Sequence, residues 1–181
     1  MKATITTESG NAATAYDIGA GEVSPTGGLQ PGLIYEINTT DYFYFLCYYG
    51  YNISTIKLIA TEIPSGFSCP EISSIDMISN INYPSIAVTM NASATTMTVK
   101  RTVTNVGSNA EIVYTAVVDK PQGLEVDVSP RELKFTADSK ILDYKVTFST
   151  SSTTGKGDLF GAITWTNKEY KVRSPFVVAR S

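Results

Sequence analysis

A chain of 181 residues, 43% hydrophobic and 17% charged, is long for one domain and short for two, and it can bury a core, so a wholly disordered chain is excluded. No apolar run approaches the roughly 18 residues of a membrane span, and a net charge of −3 argues against general nucleic-acid binding. The chain has no histidine and only two cysteines, which excludes imidazole as base, shuttle or ligand and leaves no closed Cys/His zinc site.

Charge divides unevenly. Residues 1–80 carry two Lys/Arg against eight Asp/Glu, and the remainder carries twelve against nine. A shift of that size near residue 80 predicts two differently built segments. The amino terminus, Met1 to Thr7, has one basic residue but no apolar stretch behind it, so no signal peptide is expected there. The expectation is a chain that stays inside the cell or one whose start lies upstream.

In chain order, Gly19-Ala20-Gly21 and Gly27-Gly28 predict sharp turns. Asn38-Thr39-Thr40-Asp41 supplies capping side chains, which predicts a helix over Tyr42–Tyr49. A second short helix is expected from Ser54 through Glu62, ended by Pro64. Seven of the ten residues from Tyr42 to Tyr51 are aromatic. A two-turn helix cannot hide aromatics on every side, so something must cover it, and little else in residues 1–75 is expected to do so.

Beyond residue 80 the pattern turns to period two. Strands are expected at Ser85–Thr89, Thr96–Asn105, Ile112–Asp119, Leu124–Val128, Glu132–Thr136, Leu142–Ser149, Phe160–Thr166 and Glu169–Ala179. Turn residues separate them, as at Pro121-Gln122-Gly123 and Ser129-Pro130. That density of strands, with no helical periodicity between them, predicts an antiparallel sandwich. Both cysteines precede the region, so an immunoglobulin Cys…Trp…Cys signature is absent and a fibronectin-III-like sandwich fits better. Trp165 is expected to anchor its core, and Lys100, Arg101, Lys171 and Arg173 to be edge or face charges.

The motifs Tyr16–Pro25, Leu29–Glu36 and Asp41–Tyr51 resemble plant subtilisin-like serine proteases (subtilases), in the stretch that follows the catalytic serine. The resemblance continues through Asn82–Ile86, Arg101–Gly107, Pro121–Leu124, Phe160–Trp165 and Val172–Val177, in the family's order and over nearly the whole chain. Glu22 stands where members commonly have His, and Gln30 and Glu36 where they have Asp. The resemblance implies a mainly β chain, with a short mixed α/β segment before the sandwich. Residues 1–75 would be the tail of a subtilisin-like catalytic domain, and residues 76–181 its fibronectin-III-like domain. It also implies a secreted, extracellular parent endopeptidase. The family's catalytic residues match nothing here, so none is carried over, and no peptidase activity, metal or cofactor is expected of this chain. The partners implied are the remainder of a subtilase catalytic domain or another subtilase protomer. The alternative is a truncated, stand-alone binding module acting on an intact subtilase or another extracellular partner.

Remaining candidate sites are modest. Cys47 and Cys69 are 22 residues apart, the first near the end of the first expected helix and the second beyond the second. In a secreted chain a disulfide between them would restrict the unfolded state by about 3 kcal/mol. Buried thiols are the alternative, while an aromatic and acidic neighbourhood disfavours a reactive thiolate. Asn38-Thr39-Thr40, Asn52-Ile53-Ser54 and Asn91-Ala92-Ser93 are glycosylation sequons that matter only on the secretory route, and Asn91 is expected to be the most accessible. Asp17 and Glu22 lack a ligand-rich loop and make poor evidence for a cation site. The cluster from Tyr42 to Tyr51 is expected to pack against an absent catalytic body, with stacking on sugars or a peptide as the alternative.

Overall fold

Eight strands in two facing sheets dominate the computed structural model, which describes residues 5–91, 95–150 and 157–180. They are β2 (Ile86–Met90), β3 (Thr96–Asn105), β4 (Ile112–Asp119), β5 (Leu124–Ser129), β6 (Glu132–Phe135), β7 (Ile141–Thr150), β8 (Leu159–Thr166) and β9 (Lys171–Arg180). All eight coincide with expected strands, their ends shifted by two residues or fewer. Before them come α1 (Ala15–Ile18), α2 (Pro25–Leu29), the two-residue strand β1 (Leu33–Ile34), α3 (Thr39–Tyr48), α4 (Ile53–Ile59) and a 3-10 turn at Ile75–Asn80.

One sheet has the order β1-β3-β7-β5 and the other β2-β9-β8-β4-β6. Every pairing between these strands is antiparallel except β2 with β9, which runs parallel from Ile86↔Phe176 to Met90↔Arg180. Period-two burial explains the closure. Leu124, Val126 and Val128 of β5 point inward, as do Tyr144, Val146 and Phe148 of β7, while their alternates face water. Aromatic contacts lock the two sheets together. Tyr144 meets Trp165 edge-on at 5.0 Å, and Phe148 meets Phe176 at 5.1 Å, each worth about 0.5–1.5 kcal/mol beyond burial. Trp165 is the core anchor its alternating strand implied, at 0% exposure.

The amino-terminal segment is sewn into this sandwich. Leu33 pairs with Asn105 and Ile34 with Thr104, and Leu33 is buried in the sandwich core. Residues on both sides of the expected boundary between 75 and 76 therefore share one hydrogen-bonded sheet. Gly32 makes the entry possible. Its φ is +75°, and a Cβ there would lie 2.7 Å from Tyr170 Cγ and 2.8 Å from the Tyr114 hydroxyl. Further out, the Tyr16 ring stacks edge-on against Phe160 at 5.2 Å and its hydroxyl donates to Asp158 at 2.7 Å.

The linker from Ser79 to Ser85 lies along β3. Lys100 N donates to Asn80 Oδ1 at 3.0 Å and Thr102 N to Asn82 Oδ1 at 2.8 Å. Asn82 Nδ2 donates in turn to the Thr102 and Glu36 carbonyls. Two asparagine side chains thus do for this stretch of β3 what a neighbouring strand would do.

Candidate docking face

Helix α3 starts where the sequence placed its caps. Asn38 Oδ1 accepts from Asp41 N at 3.1 Å, and Asp41 Oδ2 accepts from Asn38 N at 2.8 Å, a reciprocal capping box. Helix α4 starts earlier than expected, because Asn52, not Ser54, caps it by accepting from Thr55 N at 2.9 Å. Both sequon asparagines, Asn38 and Asn52, are therefore exposed helix caps. Asn91 is also exposed, at the end of β2, but its sequon runs into residues 92–94, outside the described residues.

The aromatic helix has two different sides. Phe43 and Cys47 turn inward onto Ile56, with Phe67 packed on Phe43 at 5.4 Å and on Tyr44 at 5.3 Å. Residues 53–69 thus cover one flank, which corrects the expectation that residues 1–75 held little to do so. Cys47 and Cys69 close this small core, with sulfurs 2.07 Å and Cα atoms 5.6 Å apart, and Ser73 Oγ donates to the Cys47 carbonyl at 2.7 Å. The other flank is open. Tyr42 is 60% exposed, Phe45 37%, Tyr49 58% and Tyr51 42%. Phe45, Tyr49 and Tyr51 form a stacked row with centroid spacings of 6.2 and 6.0 Å. Contiguous exposed rings make this flank the candidate contact surface.

Tyr42 and Phe45 also line a groove of about 350 Å³, together with Ile78 of the 3-10 turn and Ile81 and Tyr83 of the linker. Arg101 lies along it. Expected to be a surface charge, it is instead 3% exposed. The reason is register, since Arg101 shares the inward parity of Val99 and Val103 on β3. Its Nε donates to the Tyr83 carbonyl at 2.8 Å, Nη1 to those of Ser79 and Lys100 at 2.7 Å each, and Nη2 to that of Ser85 at 3.3 Å. Burial holds the guanidinium below its ordinary pKa, opposed by the neighbouring phenols of Tyr144 and Tyr35.

Behind Arg101 the polar network crosses the sandwich. The Tyr35 hydroxyl is hydrogen-bonded to that of Tyr144 and to Ser174 Oγ at 2.7 Å, joining the amino-terminal segment to β7 and β9. Burial first, then Tyr144, pushes the Tyr35 phenol well above its ordinary pKa. The Asp17 carboxylate is committed to the α1 cap, accepting from Thr14 N and Oγ1, which uses it locally. Among the described residues no three His, Cys, Asp or Glu side chains gather closely enough to hold a metal ion, and no helix is long and apolar enough to cross a membrane.

Comparison with known proteins places this geometry. A fibronectin type-III domain family matches residues 80–178. The "CO(2)-response secreted protease" of Arabidopsis thaliana is 51% identical over 178 residues, covering 98% of this chain and 23% of its own length. "Subtilisin-like protease SBT5.1" of the same plant is 51% identical over 178 residues, covering 96% and 23%. "Subtilisin-like protease SBT1.4" is 37% identical over 174 residues, covering 93% and 22%. The chain thus spans less than a quarter of the length of these relatives. Among solved structures, the YadV chaperone aligns with 52% of this chain and 49% of its own at 11% identity and a TM-score of 0.36, too slight a likeness to bear on fold or function. On the family match and these relatives together, the chain belongs to the fibronectin type-III domain family, in the form shared with plant subtilisin-like proteases.

Proposed function

We propose that this chain is a non-catalytic part of a plant subtilisin-like serine endopeptidase. In this reading residues 1–75 complete the catalytic body, and residues 76–181 form a sandwich that supports its stability, substrate access or subunit contacts. The observation that carries the reading is the exposed row Phe45, Tyr49 and Tyr51, beside Tyr42, on a segment anchored to the sandwich through Leu33 and Tyr35. Such a row gains most by burial against another protein surface, at about 25 cal/mol per Å² of apolar area. The partner is the rest of that catalytic body, or another protomer of the protease. A chain without histidine builds no Ser-His-Asp triad, and this reading gives it no peptidase activity of its own. The similarity to a secreted protease supports an extracellular setting, in which Cys47 and Cys69 stay oxidised and Asn38, Asn52 and Asn91 are open to glycosylation.

The test pairs two measurements. The purified chain is expected to show no peptidase activity and no labelling by a serine-directed fluorophosphonate. It is also expected to associate with a subtilisin-like catalytic body that lacks the matching segment, and Tyr49→Asp is expected to weaken that association. Stoichiometric labelling of the chain alone, or a failure to associate, would refute the proposal. A second reading, a stand-alone binding module, is favoured by the open groove beside Phe45. Capture of an intact subtilase that already has its own matching segment would support it.

A further inference from the structure

Arg101 is a buried charge without a counter-ion among the described residues. Its four hydrogen bonds all end on backbone carbonyls, which orient dipoles at the guanidinium but leave its charge in place. A guanidinium has five N–H groups, so one on Nη2 has no partner among the described residues. The ion pairs among the described residues, Lys120–Glu125, Arg131–Asp127 and Lys134–Glu132, do not include it. Its titratable neighbours, Tyr35 and Tyr144, are phenols. Buried charges are ordinarily paired, because desolvation without a partner costs several kcal/mol.

The groove is where a partner could reach it. Three of its four carbonyl acceptors, those of Ser79, Tyr83 and Ser85, belong to residues that line the groove, as Arg101 does. Most of the remaining lining is apolar: Ile37, Tyr42, Phe45, Ile78 and Ile81. At about 350 Å³ the space falls in the lower part of the range of sites that enclose small groups. A cation flanked by apolar walls suits a carboxylate carried between apolar side chains, because guanidinium matches carboxylate geometry and the walls receive the flanking apolar groups.

We infer that this groove receives a protein segment in which an aspartate or glutamate stands between apolar residues, its carboxylate pairing with Arg101. The inference rests on the docking reading above and names the chemistry of what docks.

The experiment uses the whole chain and two probe peptides, acetyl-Leu-Asp-Leu-amide and acetyl-Leu-Asn-Leu-amide, titrated by calorimetry and followed by amide chemical shifts. The acidic peptide is expected to bind at least about tenfold more tightly, with shifts centred on Ser79, Tyr83 and Ala87. Arg101→Met is expected to abolish the preference. That residue also holds the linker, so a second variant, Phe45→Asp, sets a carboxylate at the rim and leaves the carbonyl cradle intact. It is expected to weaken both peptides, the acidic one at least fivefold more than the amide one. Equal affinities, no binding of either peptide up to millimolar concentration, shifts elsewhere, or an unaltered Phe45→Asp profile would each overturn the inference. Association with a catalytic body in the absence of any peptide preference overturns this inference alone. Peptide preference without such association overturns the docking reading instead.

Discussion

Tyr35 and Tyr144 share a hydrogen bond of 2.8 Å between their hydroxyls, although 109 residues separate them in the chain. One belongs to the segment that precedes the sandwich and the other to its core, so the bond ties the two parts together. Tyr35→Phe deletes the bridging hydroxyl and leaves Tyr144 and the fully buried Ser174 short of a partner. Chemical denaturation is expected to show a loss of about 1–3 kcal/mol. A change within experimental error would mean that the bridge contributes nothing.

The pair Cys47 and Cys69, 22 positions apart, ties the end of α3 to the chain beyond α4. Replacing both by serine is expected to lower the stability of that small core by about 3 kcal/mol in the chain-entropy treatment. Limited proteolysis should then cut between residues 49 and 70 before it cuts the sandwich. Equal resistance of the oxidised and the double-serine forms would contradict this.

Alkaline pH should unfold the chain through its buried phenols. The Tyr114 hydroxyl is buried, and burial pushes its pKa up to about 12 from 10.0, with the Asn167 side chain opposing the shift. A folded-state pKa raised in this way gives stability that is complete below the unfolded value and is lost as pH rises through the folded one. Stability is therefore expected to hold to about pH 10 and to fall between there and about pH 12, with Tyr35 acting in the same direction. Absorbance at tyrosinate wavelengths should show late ionisation that coincides with loss of tertiary structure.

Asn38 offers a substitution that separates two roles. Asn38→Asp removes the sequon but keeps an oxygen that can accept from Asp41 N, whereas Asn38→Ala removes both. In chain made by a secreting plant cell, both variants should lose one glycan in a glycosidase mobility assay. The alanine variant alone should lose about 1 kcal/mol of stability, read by thermal denaturation. An unchanged mobility in both variants would show that Asn38 carries no sugar.

Amide exchange should grade the amino-terminal segment. Helices α1 and α2 bury no residue and are expected to exchange fast, while Leu33 is expected to exchange with the sandwich to which it pairs. Uniform protection from residue 5 to residue 80 would contradict that gradient.

The strands of the sandwich were legible because each long strand hides alternate side chains, as Tyr144, Val146 and Phe148 do, and that alternation is a local property of sequence. The cap at Asn38 was equally local. Strand β1 was not legible, because two residues carry no period and their strand character comes wholly from Thr104 and Asn105, some seventy positions away. Arg101 was misread by residue type, although its parity with Val99 and Val103 already put it on the inner face. The open flank of α3 was half legible. The count of aromatics announced that it needed cover, but which rings Phe67 would take and which would stay bare is a matter of tertiary packing.

A cut in the linker between Ile78 and Pro84 would do more than sever a loop. With Asn80 and Asn82 no longer held beside Lys100 and Thr102, β3 would present naked amide groups to solvent, and the readiest substitute for them is a strand from a neighbouring molecule. Nicked chains are thus expected to associate edge to edge more readily than intact ones, which makes two asparagine side chains guards against unwanted strand pairing.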